Sequence, residues 1–255
     1  MSSNIADIQV LQMSVDLEHQ PSEFRILVDR KFVKYLTIDP GLYHVDVMCL
    51  APVLISMLPP LPPGDWNQGR ISRDTSTGRP HFANVTKAQL PGVTNLWHPL
   101  RVDHLDLGIG KKLCSNVYEA TYSRFNAPIV AKFARFDWEI SKIEAETTAN
   151  EWIDDLGIAP KFVGHLTEEG RVIGFLMERI TGFRHATPED LTLCQQALSR
   201  LHGLGIKHGD INKHNILIRD GQATLIDFDS SKRCSDVKEL KEEFRMLEKE
   251  LKDTS

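Results

Sequence analysis

The chain has 255 residues, of which 41% are apolar and 25% charged, and its net charge is −5 at pH 7. This length allows one large or two small domains with a substantial core, and the composition is typical of a globular protein. The net negative charge offers no broad basic surface, so we expect neither nucleic acid nor an anionic membrane as a partner. Four widely spaced cysteines and the absence of a signal peptide predict reduced thiols and a cytoplasmic protein, with the nucleus as the alternative.

The first hundred residues are predicted to form a β-rich extension. Residues 24–38 are rich in β-branched and aromatic side chains, with a polar break at 29–31, and this pattern is typical of strands. The apolar run 47–58 contains Pro52 and is too short to span a bilayer, so it predicts a buried strand and loop. Residues 59–100 carry much of the proline and glycine, which predicts an irregular surface connector.

From about residue 101 the pattern changes to strands, a helix, a hairpin, a helix, a second hairpin and a final helix. The three predicted helices cover residues 137–157, 187–205 and 235–253, each with apolar residues at helical spacing. The last helix carries a predicted capping box of Asp236 and Glu239, and we expect its charges on a solvated face. This order of elements predicts an α+β fold, with a boundary between an extension at 1–100 and a second domain at 101–255.

Residues 206–229 carry the candidate chemistry. Asp210 precedes Asn215 by five residues, a spacing that suits a loop presenting a base and a metal ligand together, and Asp227 follows the second hairpin. Carboxylate and amide oxygens are suitable ligands for Mg²⁺. Taken singly, these residues are also common turn formers, so the stretch by itself is equally compatible with the polar rim of a buried hairpin.

Phosphoryl transfer from a nucleotide also needs an ammonium group on the phosphates and a carboxylate that holds it. Lys132 lies in the predicted strand "IVAKFA", from which a side chain can point into a cleft. Glu146 on the following helix is its predicted partner, and Glu144 is the alternative. Residues two apart on a helix do not face the same way, so only one of the two can reach the lysine.

With these residues in order, the segment 102–230 resembles the protein-kinase-like fold. The matching motifs are "VAK" at the phosphate lysine, "HGD" with Asn215 at the catalytic loop, and "DFD" at the metal aspartate. "FLMERI" is similar to the hinge of that fold, with Met177 at the gate of the adenine pocket. From about Leu58 the chain is also similar to a group of small, uncharacterised fungal kinase-like proteins.

The resemblance implies a two-lobed kinase-like fold with a truncated C-terminal lobe and a hinge at about 177–182. It also implies ATP and Mg²⁺ as cofactors. The residue roles that it implies are catalytic for Asp210, Lys132 and Glu146, nucleotide-binding for Gly110, Lys112, Val117, Lys132, Met177, Glu178 and Ile180, and metal-binding for Asn215 and Asp227.

Three departures from the family pattern affect the expected activity. The phosphate-covering loop "GKKLCSNV" keeps only Gly110, because Lys112 and Ser115 occupy the other glycine positions, although Lys112 can compensate by its charge. The catalytic loop has Gly209 in place of the arginine that pairs with a phosphorylated activation loop, a feature similar to aminoglycoside-type small-molecule kinases and RIO kinases. Asp229 replaces the glycine of D-F-G.

These residues predict an ATP–Mg²⁺-dependent phosphotransferase, an atypical kinase in which Asp210 is the base towards a hydroxyl of a protein or small-molecule acceptor. Only 28 residues follow Asp227. We therefore expect residues 1–100, a second copy of the chain or a protein partner to complete the acceptor site. The alternative is a catalytically impaired pseudokinase that acts as a nucleotide-binding or scaffolding module.

Overall fold

The computed structural model describes residues 6–16 and 19–252, which divide into two compact units, one ending at Leu90 and the other beginning at Pro91. Both units combine strands with helices, so the predicted α+β class is confirmed. Among the described residues, no helix is long and apolar enough to cross a membrane.

The first unit is a five-stranded sheet with two short helices. Its elements are β1 (Ile8–Ser14), β2 (Ser22–Val28), β3 (Phe32–Ile38), α1 (Val45–Cys49), α2 (Ala51–Met57), β4 (Gln68–Arg73) and β5 (Pro80–Thr86). The strands lie in chain order, and all neighbours are antiparallel except β3 and β4. Asp29 and Arg30 both have positive φ, which produces the tight turn between β2 and β3.

Two predictions for this unit are wrong. The apolar run 47–58 belongs to α1 and α2 instead of a strand and loop, because Pro52 lies in the first turn of α2, where its missing N–H has no helical partner to lose. The region 59–100 is not an irregular connector throughout, since it contains β4 and β5. Local composition does not reveal that β4 pairs with β3, a strand about 30 residues earlier in the chain.

In the described residues of the second unit, the strands form three sheets and are joined by three α-helices. Its elements are β6 (Arg101–Asp103), β7 (Gly108–Cys114), β8 (Val117–Thr121), β9 (Ile129–Phe133), α3 (Ile140–Trp152), β10 (Phe162–Glu168), β11 (Arg171–Glu178), β12 (Arg184–His185), α4 (Leu191–Gly203), β13 (Ile206–Lys207), β14 (Ile216–Arg219), β15 (Gln222–Leu225), β16 (Lys232–Arg233) and α5 (Val237–Lys252). A six-stranded sheet has the order β6-β10-β11-β9-β8-β7, and smaller sheets join β12-β14-β15 and β13-β16.

The C-terminal half of this unit is built around a buried cluster. The stripe of α4, including Leu198 and Leu201, packs with Leu225 of the β14–β15 hairpin and with Leu247 and Leu251 of α5. The apolar face of α5 therefore covers the hairpin. The helix predicted for 235–253 is α5, and residue 253 lies outside the described residues.

The predicted capping box at the start of α5 forms only in part. The Asp236 carboxylate accepts a hydrogen bond from the Lys238 amide at 2.7 Å, as an N-cap does. The Glu239 carboxylate instead pairs with the ammonium groups of Lys207 and Lys232, at 3.0 and 3.4 Å. The Glu239 side chain therefore forms long-range ion pairs instead of the capping contact that the local motif predicted.

Candidate active site

Lys132 is a buried lysine held between two carboxylates. Its Nζ lies 2.5 Å from Oε2 of Glu146 on α3 and 2.6 Å from Oδ1 of Asp227 after β15. The lysine is only 7% exposed and Glu146 only 3%. Three residues that are up to 95 positions apart in the chain therefore meet at one ammonium group.

The charges of this cluster compensate one another. Burial disfavours the charged ammonium, but the nearby Glu146 and Asp227 carboxylates outweigh burial and raise the pKa of Lys132. Burial also raises the pKa of Glu146, an effect that the Lys132 ammonium opposes. A lysine that is charged throughout the physiological range, in a site shielded from water, is suited to bind the phosphates of a nucleotide.

Close packing of the central strands fixes the backbone of Lys132. Lys132 lies opposite Phe175, so β9 is paired with β11 on one side and with β8 on the other. A Cβ on Gly174 would lie 2.4 Å from the Lys132 carbonyl oxygen and 2.4 Å from the Phe133 Cβ. Glycine at 174 therefore permits an approach of the two strands that no other residue allows.

The two candidate glutamates on α3 have separate partners. Glu146 is buried and faces Lys132, whereas Glu144 binds Thr94 and Asn95 on another side of the helix. The geometry thus brings the lysine to Glu146, the residue predicted as first choice, and gives Glu144 a different role. The roughly 200° between positions two apart on a helix accounts for this division.

The predicted catalytic loop presents an exposed aspartate, Asp210, whose carboxylate accepts hydrogen bonds from two asparagines. Nδ2 of Asn215 donates to the Asp210 carbonyl oxygen at 2.8 Å and to its Oδ2 at 3.0 Å. Nδ2 of Asn212 donates to Oδ1 of Asp210 at 3.3 Å. Oδ1 of Asn212 in turn accepts the amides of His214 and Asn215, which closes the turn. The carboxylate of Asp210 is therefore oriented yet open to solvent.

The β14–β15 hairpin sets the distance between Asn215 and Asp227. Asn215 precedes β14, and its carbonyl oxygen accepts the amide of Ile226, which follows β15, at 3.0 Å. Asp227 comes next, with a left-handed backbone at φ 66° that ends the hairpin. The two oxygen-bearing side chains are thereby presented from the same end of the hairpin, and Asp220-Gly221 forms its turn at the other end.

Steric contacts explain why residue 209, in the middle of "HGD", is a glycine. Gly209 has φ +87°, and a Cβ there would lie 2.2 Å from the Ser230 carbonyl oxygen. No side chain fits, so this loop cannot carry the arginine of the H-R-D pattern. His208 is fully buried, donates through Nε2 to the Ile226 carbonyl at 3.1 Å, and has a pKa that burial lowers.

Glu243 of α5 supports this loop, and the sequence interpretation missed it. Its carboxylate accepts the amides of His208 and Gly209 at 3.0 and 2.7 Å and the His202 ring at 2.7 Å. Burial alone would raise the pKa of Glu243, but these hydrogen bonds outweigh burial and hold the pKa below its usual range. The expectation of a solvated charged face is wrong at this residue. Its position three after Leu240, within the apolar stripe, was the available signal.

The predicted phosphate-covering loop is a tight, exposed hairpin. Gly110 and Lys112 lie within β7, the edge strand of the sheet, and all seven residues of β7 are exposed. The turn to β8 consists of residues 115–116 alone, and Val117 follows it opposite Lys132. Lys112 therefore lies in a strand beside the turn. A Cβ on Gly110 would lie 3.3 Å from the Glu119 carbonyl oxygen.

The predicted hinge follows the strand next to Lys132. Met177 lies opposite Val130, two residues before the lysine, and the Glu178 amide donates to the Lys161 carbonyl at 2.8 Å. Ile180 comes after the end of β11. Arg179 forms an ion pair of 2.5 Å with Glu119 of β8, which lies opposite Val130, and this contact links the predicted hinge to β8. Met177 and Lys132 thus share one face of the central strands.

The residues present fit a magnesium ion held jointly with a nucleotide. Asn215 and Asp227 would supply two hard oxygen ligands, and Mg²⁺ is commonly held by one or two carboxylates with phosphates and water completing its shell. No three His, Cys, Asp or Glu side chains of the described chain come together as a metal cluster. Asp229, which stands where the family pattern has glycine, lies 3.6 Å from the Lys142 ammonium on α3.

Comparison with known proteins gives partial matches. The model of the lipopolysaccharide kinase (Kdo/WaaP) family matches residues 185–255, which include Asp210, Asn215 and Asp227. A probable bifunctional tRNA threonylcarbamoyladenosine biosynthesis protein of Methanoculleus marisnigri is 46% identical over 65 residues, 24% of this chain and 12% of that protein. Its namesake in Methanothermobacter thermautotrophicus is 37% identical over 84 residues, 31% of this chain and 16% of that protein.

The chain thus spans less than a fifth of the length of either relative. The family match lies in the half of the second unit that carries the catalytic loop. Together the matches point to a kinase-type phosphotransferase. The geometry is compatible with that chemistry, because an exposed carboxylate, a pair of metal-type oxygen ligands and a buried ammonium group converge in one unit of the chain.

Proposed function

We propose that the protein is an ATP–Mg²⁺-dependent phosphotransferase that moves the γ-phosphoryl group to a hydroxyl of a protein or small-molecule acceptor. Lys132 binds the phosphates, and Glu146 holds the lysine in place. Asn215 and Asp227 bind the metal ion, and Asp210 orients and deprotonates the acceptor hydroxyl. Gly110, Lys112 and Val117 cover the phosphates, and Met177, Glu178 and Ile180 border the adenine.

The observation that carries this proposal is the position of Lys132 between Glu146 and Asp227, at 2.5 and 2.6 Å. A structural ion pair needs one carboxylate, and a second one leaves the cluster with an excess of negative charge near the lysine. A divalent metal ion bound by Asp227 turns this excess of one negative charge into an excess of one positive charge, which favours binding of the phosphates beside the ammonium.

The direct test is phosphoryl transfer by the Asp210→Ala variant. With water as the acceptor, we expect ADP and phosphate formation from ATP and Mg²⁺ to fall by at least about a hundredfold, the usual contribution of a positioned acid–base group, while the ATP dissociation constant stays within a few fold. Asp220→Ala, in the exposed hairpin turn, is the matched control. Equal turnover in wild type and Asp210→Ala would rule out the role of Asp210.

One observation favours a second candidate, a nucleotide-binding module without transferase activity. The β7–β8 turn is formed by Ser115 and Asn116, so it lacks the glycines that let a backbone approach phosphates closely. Binding of ATP by wild type without any ADP formation, in the presence of Mg²⁺, would select this candidate.

A further inference from the structure

Residues 93–98, here called the strap, lie along α3, the helix that carries Glu146. At the start of the strap, the Val93 amide donates to the Val172 carbonyl of β11 at 2.8 Å. At its end, the His98 amide donates to Nε2 of His165 of β10 at 3.2 Å. The strap is therefore anchored at both ends to the sheet that contains Lys132.

Between these anchors the strap donates three hydrogen bonds to the Glu144 carboxylate. Oε2 of Glu144 accepts the Thr94 amide at 2.5 Å, and Oε1 accepts the Thr94 hydroxyl and the Asn95 amide, both at 3.0 Å. Three hydrogen bonds to one ionised carboxylate form a charge-assisted set, which is stronger than bonds between neutral groups.

Further contacts continue along the same side of the helix. Nδ2 of Asn95 donates to Glu151 at 2.7 Å and to the Thr148 hydroxyl at 3.2 Å, and the Trp97 ring nitrogen donates to the Thr147 carbonyl at 3.1 Å. The helix residues that the strap contacts are three to four positions apart and form one stripe of α3. The centroid of the Trp97 ring also lies 4.6 Å from that of the Phe162 ring, and Trp97 is partly buried there.

The helix itself needs such support. The middle of α3 contains Thr147 and Thr148, which are poor helix formers, so packing and long-range bonds have to fix its position. Glu146 is on a different side from the strap stripe and reaches Lys132 at 2.5 Å. A small displacement of α3 away from the sheet would break this contact while leaving the strands intact.

We propose that the strap is a positioning element that holds α3 at the place where Glu146 contacts Lys132. The lysine is then positioned to bind nucleotide phosphates without any modification of the segment after Asp227. This inference rests on the proposed function. Glu144 and Asn95 are positioning residues in it, because they act on the phosphates only through Glu146 and Lys132.

The test compares ATP with adenosine in full-length variants. Glu144→Ala removes the acceptor of three strap bonds, and we expect it to raise the dissociation constant of Mg–ATP by about tenfold, equal to about 1.4 kcal/mol. The dissociation constant of adenosine, which has no phosphates, stays within about twofold of wild type. Glu144→Gln keeps one carbonyl oxygen for the strap and gives an intermediate value.

Ser141→Ala, at an exposed position of the same helix, is the matched control and leaves both constants unchanged. In a Glu146→Gln background, Glu144→Ala causes no further loss of ATP affinity, because the two residues act in series. An equal loss of affinity for ATP and adenosine, or an equal effect in both backgrounds, would overturn the proposal. Failure of the proposed function looks different, since wild type would then bind ATP without forming ADP.

Discussion

The predicted catalytic loop (residues 206–215) and the β7–β8 hairpin (residues 108–121) differ strongly in how well the rest of the second unit holds them in place. The loop has a buried histidine and a buried asparagine, and two of its backbone amides donate hydrogen bonds to a buried glutamate of a distant helix. The hairpin has an edge strand whose seven residues are all exposed and a turn of two residues. The groups proposed to bind the acceptor and the metal are preorganised, whereas the hairpin proposed to cover the phosphates is not.

This difference indicates where substitutions matter. A preorganised site loses function when one supporting bond is removed, because each buried donor or acceptor left without a partner has a full desolvation cost. An exposed hairpin contributes through charge and reach, which solvent weakens. The following predictions test that contrast from its largest effect to its smallest.

The largest effect is expected at Glu243. Replacing it by alanine leaves the buried amide of His208 and the partly buried amide of Gly209 without an acceptor and the His202 ring without its partner, so we expect a loss of about 3 kcal/mol or more in the free energy of unfolding. Denaturant unfolding measures it, and Glu242→Ala on the exposed side of α5 is the matched control. A loss no greater than that of the control would contradict the account.

The difference in unfolding free energy between wild type and Glu243→Ala should depend on pH in a defined way. Since the folded-state pKa of Glu243 lies below the ordinary value of 4.5, its contribution is complete above about pH 4.5 and is lost as the pH falls through the folded-state value. The stability gap between wild type and Glu243→Ala should therefore be constant near neutral pH and narrow in acid. A gap that widens below pH 4.5 would show the opposite sign.

A second, smaller effect is expected from a series of glycine variants. Gly209→Ala combines a positive φ with a contact of 2.2 Å to a backbone oxygen, so we expect a cost above about 2 kcal/mol. Gly221→Ala has a positive φ but open space, and about 1 kcal/mol is expected. Gly110 in the hairpin has no positive φ, and an added Cβ would come no closer than 3.3 Å to a neighbour. Gly110→Ala should therefore lower the free energy of unfolding the least. Thermal unfolding that ranks the three variants otherwise would break the comparison.

The smallest effect is expected at Lys112. Replacing this exposed lysine by serine should raise the KM for ATP by less than about tenfold and leave kcat unchanged, because a solvated charge contributes little. The effect should weaken further at high ionic strength. Steady-state kinetics at two salt concentrations measure both quantities, and a fall in kcat at Lys112 would show that the hairpin takes part in the chemical step.

Local spacing was sufficient to predict the elements around the catalytic loop. Asp210, Asn215 and Asp227 lie within 18 residues, and the Asp220-Gly221 turn fixes the hairpin between them. Helical geometry predicted that only one of Glu144 and Glu146 could reach Lys132, and it left the choice between them open. The predicted roles of these residues in nucleotide and metal binding are proposals that the experiments above address.

What the sequence did not reveal are the long-range partners. Glu243 binds amides 34 and 35 residues earlier, and Thr94 binds a helix 50 residues later. Neither distance leaves a periodic trace in the chain. The proline-rich composition of residues 59–100 also obscured both the strands β4 and β5 and the strap, because composition reports backbone propensity and not tertiary pairing.

The most direct measurement of the central claim is the thermal stability of the full-length protein with ATP, with and without Mg²⁺. At about one hundred times the dissociation constant, a bound ligand adds about 2.7 kcal/mol, which corresponds to a rise of several degrees in Tm for a chain of this size. We predict that rise with ATP and Mg²⁺ together, and its reduction in Asp227→Ala. No change in Tm at millimolar ATP and Mg²⁺ would contradict the assignment of Lys132, Asn215 and Asp227 to a nucleotide–metal site.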